Sequence, residues 1–188
     1  ENMKRDNFFF LLVKCYLNLF FSFIMCFMLS MTLMVFQGYS LITYVVQIFT
    51  IAIMLLLLGN YAWTDGKKEI KLMETYNVAP ISPFRWWGLG LITTVPFYML
   101  LGGLILDKLG FIKGLNFGVI YRLLATQFMP IVIKFARPAP STVENVTNVV
   151  TANDYPWWLI VVLAVLPLLI PLTTGIVHKL SVKDEIST

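Results

Sequence analysis

Charged residues leave four long gaps along this chain. No Asp, Glu, Lys or Arg occurs in Cys15–Phe36, Leu41–Trp63, Trp87–Leu106 or Trp157–Val177. A helix needs about 20 apolar residues to cross a hydrocarbon core of roughly 30 Å, so each gap predicts one membrane span. The five tryptophans, Trp63, Trp86, Trp87, Trp157 and Trp158, stand at the edges of these runs. Indole rings favour the boundary between water and lipid, which makes all five expected membrane-interface anchors. The expected fold class is all-α: a polytopic transmembrane helical bundle with four spans.

Leu115–Phe135 breaks the simple pattern. It is long and apolar enough to cross, yet it holds Arg122, Gln127 and Pro130. An arginine away from a helix end needs a partner, and the uncharged spans offer none, so an interfacial or re-entrant helix is expected here. A fifth span, with the C-terminus outside, is the alternative. The remaining pieces are a cytoplasmic loop over 64–86 and an external loop over 107–156 that carries this helix. Gln37–Gly38–Tyr39–Ser40 reads as the turn of a helical hairpin. The loop Thr64–Arg85 reads chiefly as a solvated connector, with a docking surface for a cytoplasmic partner as the alternative, and its first half, Lys67–Tyr76, has the i,i+4 spacing to continue as a short helix. Arg137–Pro138–Ala139–Pro140 ends any helix before it. Ser141–Asn153 then reads as an exposed stretch whose Asn145–Val146–Thr147 sequon is a match common by chance. Pro96, Pro167 and Pro171, with nearby threonines and glycines, predict kinks and close-packing notches rather than a transport hinge.

Charge sets the expected orientation. Nine of the fourteen basic residues fall on one side of a four-span arrangement: Lys4, Arg5, Lys14, Lys67, Lys68, Lys71, Arg85, Lys179 and Lys183. The positive-inside rule then puts both termini in the cytoplasm. The first run is too long for a signal-peptide core and reads as an uncleaved signal anchor. A hydrophobic fraction of 59% over 188 residues leaves room for a single membrane domain, 1–188. The net charge of +4 sits beside the spans. It therefore speaks of lipid headgroups and insertion rather than nucleic acid, for which there is no basic stripe or motif.

Little in the chain points to catalysis. The spans hold no carboxylate, so neither a carboxylate pair nor a self-contained proton antiporter is expected within them. Cys15 and Cys26 are about 16 Å apart along a straight helix, too far for a disulfide. One histidine, His178, cannot complete a zinc site of nitrogen and sulfur ligands, and its place beside Lys179 reads as interfacial. The expectation is no enzyme activity, no catalytic residue, no cofactor and no metal. Two contact regions remain. Arg122 is a candidate for a lipid phosphate or another anion, and Lys67, Lys68, Lys71 and Arg85 form a candidate docking loop for a cytoplasmic partner. The Phe- and Met-rich first span could pack against irregular neighbours, although apolar surface alone drives no association in lipid.

Several short stretches carry a resemblance. They are Asp65–Gly66–Lys67–Lys68, Gly88–Leu89–Gly90–Leu91–Ile92 followed by Pro96–Phe97–Tyr98, Tyr121–Arg122–Leu123–Leu124 with Gln127–Phe128–Met129–Pro130, and Gly175–Ile176–Val177. On these the chain resembles a group of uncharacterised small polytopic membrane proteins of Gram-positive bacteria. The resemblance implies a bacterial plasma membrane and adds no catalytic residue. The expected role is a non-enzymatic accessory or scaffold subunit of a larger membrane complex. Its expected partners are lipids and other transmembrane subunits, in a hetero-complex rather than a homo-oligomer. A small homo-oligomeric transporter or channel is the alternative.

Overall fold

The structure is a computed structural model that describes residues 6–35, 40–77, 82, 84–112, 114–136 and 150–186. Several features of the sequence lie outside the described residues: Gln37–Gly38–Tyr39 of the first turn, Lys4, Arg5, Pro80, Pro83, the Arg137–Pro140 breaker and the Asn145 sequon. Among the described residues there are seven α-helices and no strand: α1 Phe8–Val35, α2 Ser40–Tyr76, α3 Arg85–Lys108, α4 Phe117–Leu124, α5 Met129–Phe135, α6 Trp157–Val165 and α7 Leu169–Ile186. Helices α1, α2 and α3 are each long and apolar enough to cross a membrane, and α6 with α7 supplies a fourth span over Trp157–Lys183. This is a polytopic helical membrane protein. A 3₁₀ turn at Leu166–Leu168, where Pro167 removes a backbone donor, separates α6 from α7.

Two compact units divide the helices. One gathers α1 up to Phe21, Met54–Val95 and the chain from Leu168; the other holds Ser22–Ile53 and Pro96–Pro167. In each unit the buried positions recur every three to four residues, which lays one stripe along each helix. On α2 the stripe runs Gln47, Thr50, Met54, Leu58, Ala62, Asp65 and Glu69. Lys67–Tyr76 is helical, as its i,i+4 spacing allows, and continues α2 with Glu69, Ile70 and Leu72 buried and Lys71, Glu74, Thr75 and Tyr76 exposed.

The Leu115–Phe135 segment is a bent pair, with an angle of 88° between Phe117–Leu124 and Thr126–Phe135. Its corner is anchored by side chains of α2. Gln47 Nε2 and Thr50 Oγ1 each donate to the Gln127 carbonyl at 2.9 Å, and Gln47 Oε1 accepts from the Ile131 N–H at 2.9 Å. Thr126 Oγ1 donates to the Phe23 carbonyl at 3.1 Å. Irregular backbone at membrane depth is tolerable where protein covers it and supplies such partners, and Ala125–Pro130 is buried throughout.

The start of the bent pair and the start of α6 attach to one place, the end of α3. Asp107 Oδ2 accepts from the Phe117 N–H at 2.8 Å, and Lys108 Nζ donates to the Tyr155 carbonyl at 2.7 Å. Tyr155 Oη donates to the Gly118 carbonyl at 2.7 Å. The chain therefore leaves α3, makes the bent pair and starts α6 at the same end. The segment is the interfacial or re-entrant element rather than a crossing helix.

Candidate functional site

One end of the first unit concentrates polar chemistry among buried side chains. It begins at Asp6, ahead of α1. Asp6 Oδ1 receives Lys68 Nζ at 3.0 Å, and Oδ2 receives Lys14 Nζ at 3.4 Å. Arg85 donates through a terminal guanidinium nitrogen to the Asp6 carbonyl at 2.7 Å. Burial disfavours the Asp6 charge, but the Lys68 and Lys14 ammonium groups outweigh it and hold the carboxyl below its ordinary range. Three helices are thereby tied to one short N-terminal segment.

Next to this node lie Asp65, Glu69 and His178, all buried. Asp65 and Glu69 stand four apart on α2 and so share a face. His178 arrives from α7, on the same stripe as Ile170, Thr174 and Ser181. Each residue offers one ligand atom, and the three atoms lie within 4.8 Å of one another. His178 Nε2 is 3.9 Å from Glu69 Oε2, beyond hydrogen-bond reach, and has no hydrogen-bond partner.

Neighbouring residues explain why the helices meet here. Trp86, fully buried at the start of α3, donates its indole N–H to Asp65 Oδ2 at 2.9 Å. Its ring stacks on His178 with centroids 5.7 Å apart, and Tyr61 meets it edge-on at 5.5 Å. Gly66 leaves the space that Ser181 occupies, since a Cβ there would overlap Ser181 Oγ and come within 3.3 Å of His178 Cδ2. Gly90 does the same one element away, where a Cβ would collide with the Pro171 backbone. Thr174 Oγ1 donates to Ile170 O at 3.0 Å and reaches Trp86 O at 3.3 Å.

The residues singled out from sequence are dispersed. Of the docking-loop candidates, Lys68 and Arg85 are engaged by Asp6, Lys67 lies over the Trp63 ring at 5.3 Å, and Lys71 is exposed. Trp86 faces the interior rather than lipid. Trp87 is half-buried with its ring against Gly175, while Trp157 and Trp158 are exposed. Trp157 lies under Lys108 Nζ at 5.3 Å, and Trp158 meets Phe135 edge-on at 4.9 Å. Arg122 stands in the last turn of α4 beside Tyr155. Burial pushes the Tyr155 phenol up, and the Arg122 charge pulls it back in part.

Asp65, Glu69 and the buried role of His178 are not evident as a site from the sequence. The uncharged run ends at Trp63, and the carboxylates beyond it read as a loop. Their register is the available signal: Leu58, Ala62, Asp65 and Glu69 keep one helical spacing. A second feature of this unit is an open groove of about 770 Å³ between the start of α3 and the end of α7. Phe84, Trp87, Ile176 and Leu180 line it, with Lys179 and Lys183 at its edge. No protein-family model, no curated protein and no solved structure matches this chain.

Proposed function

We propose that this chain is a non-enzymatic accessory or scaffold subunit of a larger complex in a bacterial plasma membrane, with both termini cytoplasmic. The observation that carries this reading is the groove beside α3 and α7. Its walls are almost wholly apolar, its mouth is open, and two lysines four residues apart flank it. Such a recess fits a transmembrane helix of a partner whose end carries acidic residues. Shape and packing, rather than apolar area, drive association in lipid, so a concave site is more telling than the exposed Phe and Met side chains of α1.

Purification in a gentle detergent, followed by mass spectrometry, tests the reading. A stoichiometric membrane partner is expected, and Ile176→Arg or Lys179→Glu should release it without lowering the thermal midpoint. A homo-oligomer with no second protein would overturn it. One observation favours the small homo-oligomeric transporter as the second reading. Asp65, Glu69 and His178 are ionisable groups enclosed between helices, which the uncharged spans lack. Ion flux in proteoliposomes that disappears in Glu69→Gln would move that reading to first place.

A further inference from the structure

The geometry points to a divalent metal site formed by Asp65, Glu69 and His178, taking a first-row transition ion such as Mn²⁺, Fe²⁺ or Zn²⁺. Three independent features converge on it. First, the ligand atoms lie within 4.8 Å of one another. Metal–ligand bonds of about 2.1 Å place neighbouring ligand atoms roughly 3–4 Å apart, so the side chains need draw in by no more than about 1 Å. The 3.9 Å between His178 Nε2 and Glu69 Oε2 already lies in that range.

Second, His178 Nε2 is aimed into the cluster with no hydrogen-bond partner, on a residue only 7% exposed. A buried polar atom left unsatisfied costs about 1–3 kcal/mol, and coordination through its lone pair removes that cost. Third, Asp65 is oriented from outside the cluster. The Trp86 indole N–H fixes Asp65 Oδ2, as outer hydrogen bonds commonly fix carboxylate ligands. Gly66 completes the arrangement by letting α7 approach α2 closely enough to deliver His178.

The ligand set selects the ion. Two carboxylates match the charge of a divalent cation, which a low-dielectric site requires. One imidazole nitrogen favours transition ions over Ca²⁺ and Mg²⁺, whose ligands are oxygens. The absence of sulfur from the three disfavours Cu⁺. Three protein ligands also leave a coordination position open, as in sites that exchange water or a further ligand. Such a site goes beyond the subunit reading and stands whether or not a partner is found.

The test uses the full chain in detergent with a tag free of histidine. After chelation and dialysis, it is titrated separately with Zn²⁺ and Mn²⁺ by calorimetry. One ion per chain is expected, with affinity lost about 100-fold or more in Glu69→Gln and in His178→Asn. Glu74→Gln, an exposed carboxylate on the same helix, should bind as the wild type does. Unchanged affinity in both ligand variants, or no saturable binding to the wild type, overturns the site. Should the variants fail to fold, X-ray absorption on the zinc-loaded wild type decides. One imidazole with oxygen ligands supports the site, and sulfur ligation or no imidazole overturns it.

Discussion

At Asp6 two ammonium groups converge on one carboxylate, and the cost of partial burial is outweighed by them. The direction of its titration follows. A carboxyl held below its ordinary 3.8 stabilises the fold above that pH, and the contribution is lost as pH falls through the lower folded-state value. The two lysines remain about one-third exposed, so solvent screening keeps the gain small. Asp6→Asn should lower stability in detergent by about 1 kcal/mol at pH 7. The difference from wild type should shrink as pH falls below 3.8 and close once pH has passed the lower folded-state value. Thermal unfolding of both proteins across the acid-to-neutral range checks this. Trp86 makes a sharper case, because its N–H serves a buried carboxylate. Trp86→Phe keeps most of the ring yet leaves Asp65 Oδ2 short of a donor. A loss of about 1–3 kcal/mol is expected, and a Trp86→Phe protein as stable as wild type would show that water replaces the indole.

Between helices, glycines and amides decide how closely backbones approach. Gly88 and Gly90 lie two residues apart on α3 and face different surroundings. A Cβ at Gly88 meets nothing within 4 Å, whereas one at Gly90 overlaps the Pro171 backbone and comes within 2.7 Å of Thr174 Oγ1. Gly90→Ala should destabilise by about 1–3 kcal/mol through forced separation of α3 and α7. Gly88→Ala should be neutral or gain up to about 1 kcal/mol from helix propensity. Thermal midpoints in one detergent distinguish the pair. Gln47 plays the corresponding part in the other unit. Gln47→Leu strips partners from the Ile131 N–H, while Thr50 still serves the Gln127 carbonyl. Hydrogen exchange should therefore rise at Ile131 and its neighbours, while α2 itself stays protected. Apolar run length alone makes α1, α2, α3 and the last span legible in the sequence. A helix over Lys67–Tyr76 is legible from its i,i+4 spacing, but its burial is not, because Lys67, Lys68 and Lys71 read as solvent-exposed charges, whereas Ile70 and Leu72 between and beside them are buried. Stripe spacing carries the information that residue polarity conceals.

For the whole chain, the number of crossings follows from which helix ends meet. His178 near the end of α7 stands beside Glu69 near the end of α2, so the chain between them crosses an even number of times. Helix α3 is one crossing, and the span Trp157–Lys183 is the return. A bent pair that also crossed would carry His178 to the far end, away from Glu69. It would equally part Lys108 from the Tyr155 carbonyl it binds. Sequence alone leaves this open, since Leu115–Phe135 has the length and apolarity of a span, and only the Gln47, Thr50 and Asp107 contacts reveal that it turns back. Labelling tests the conclusion in a background where Cys15 and Cys26 are serine. Single cysteines at exposed Lys71 and Lys183 should react with an impermeant thiol reagent from the same side of sealed vesicles. Opposite sidedness for positions 71 and 183 would make the bent pair a fifth span, and it would separate His178 from both carboxylates. The metal site and the four-span topology therefore stand together, because the same meeting of α2 with α7 supports both.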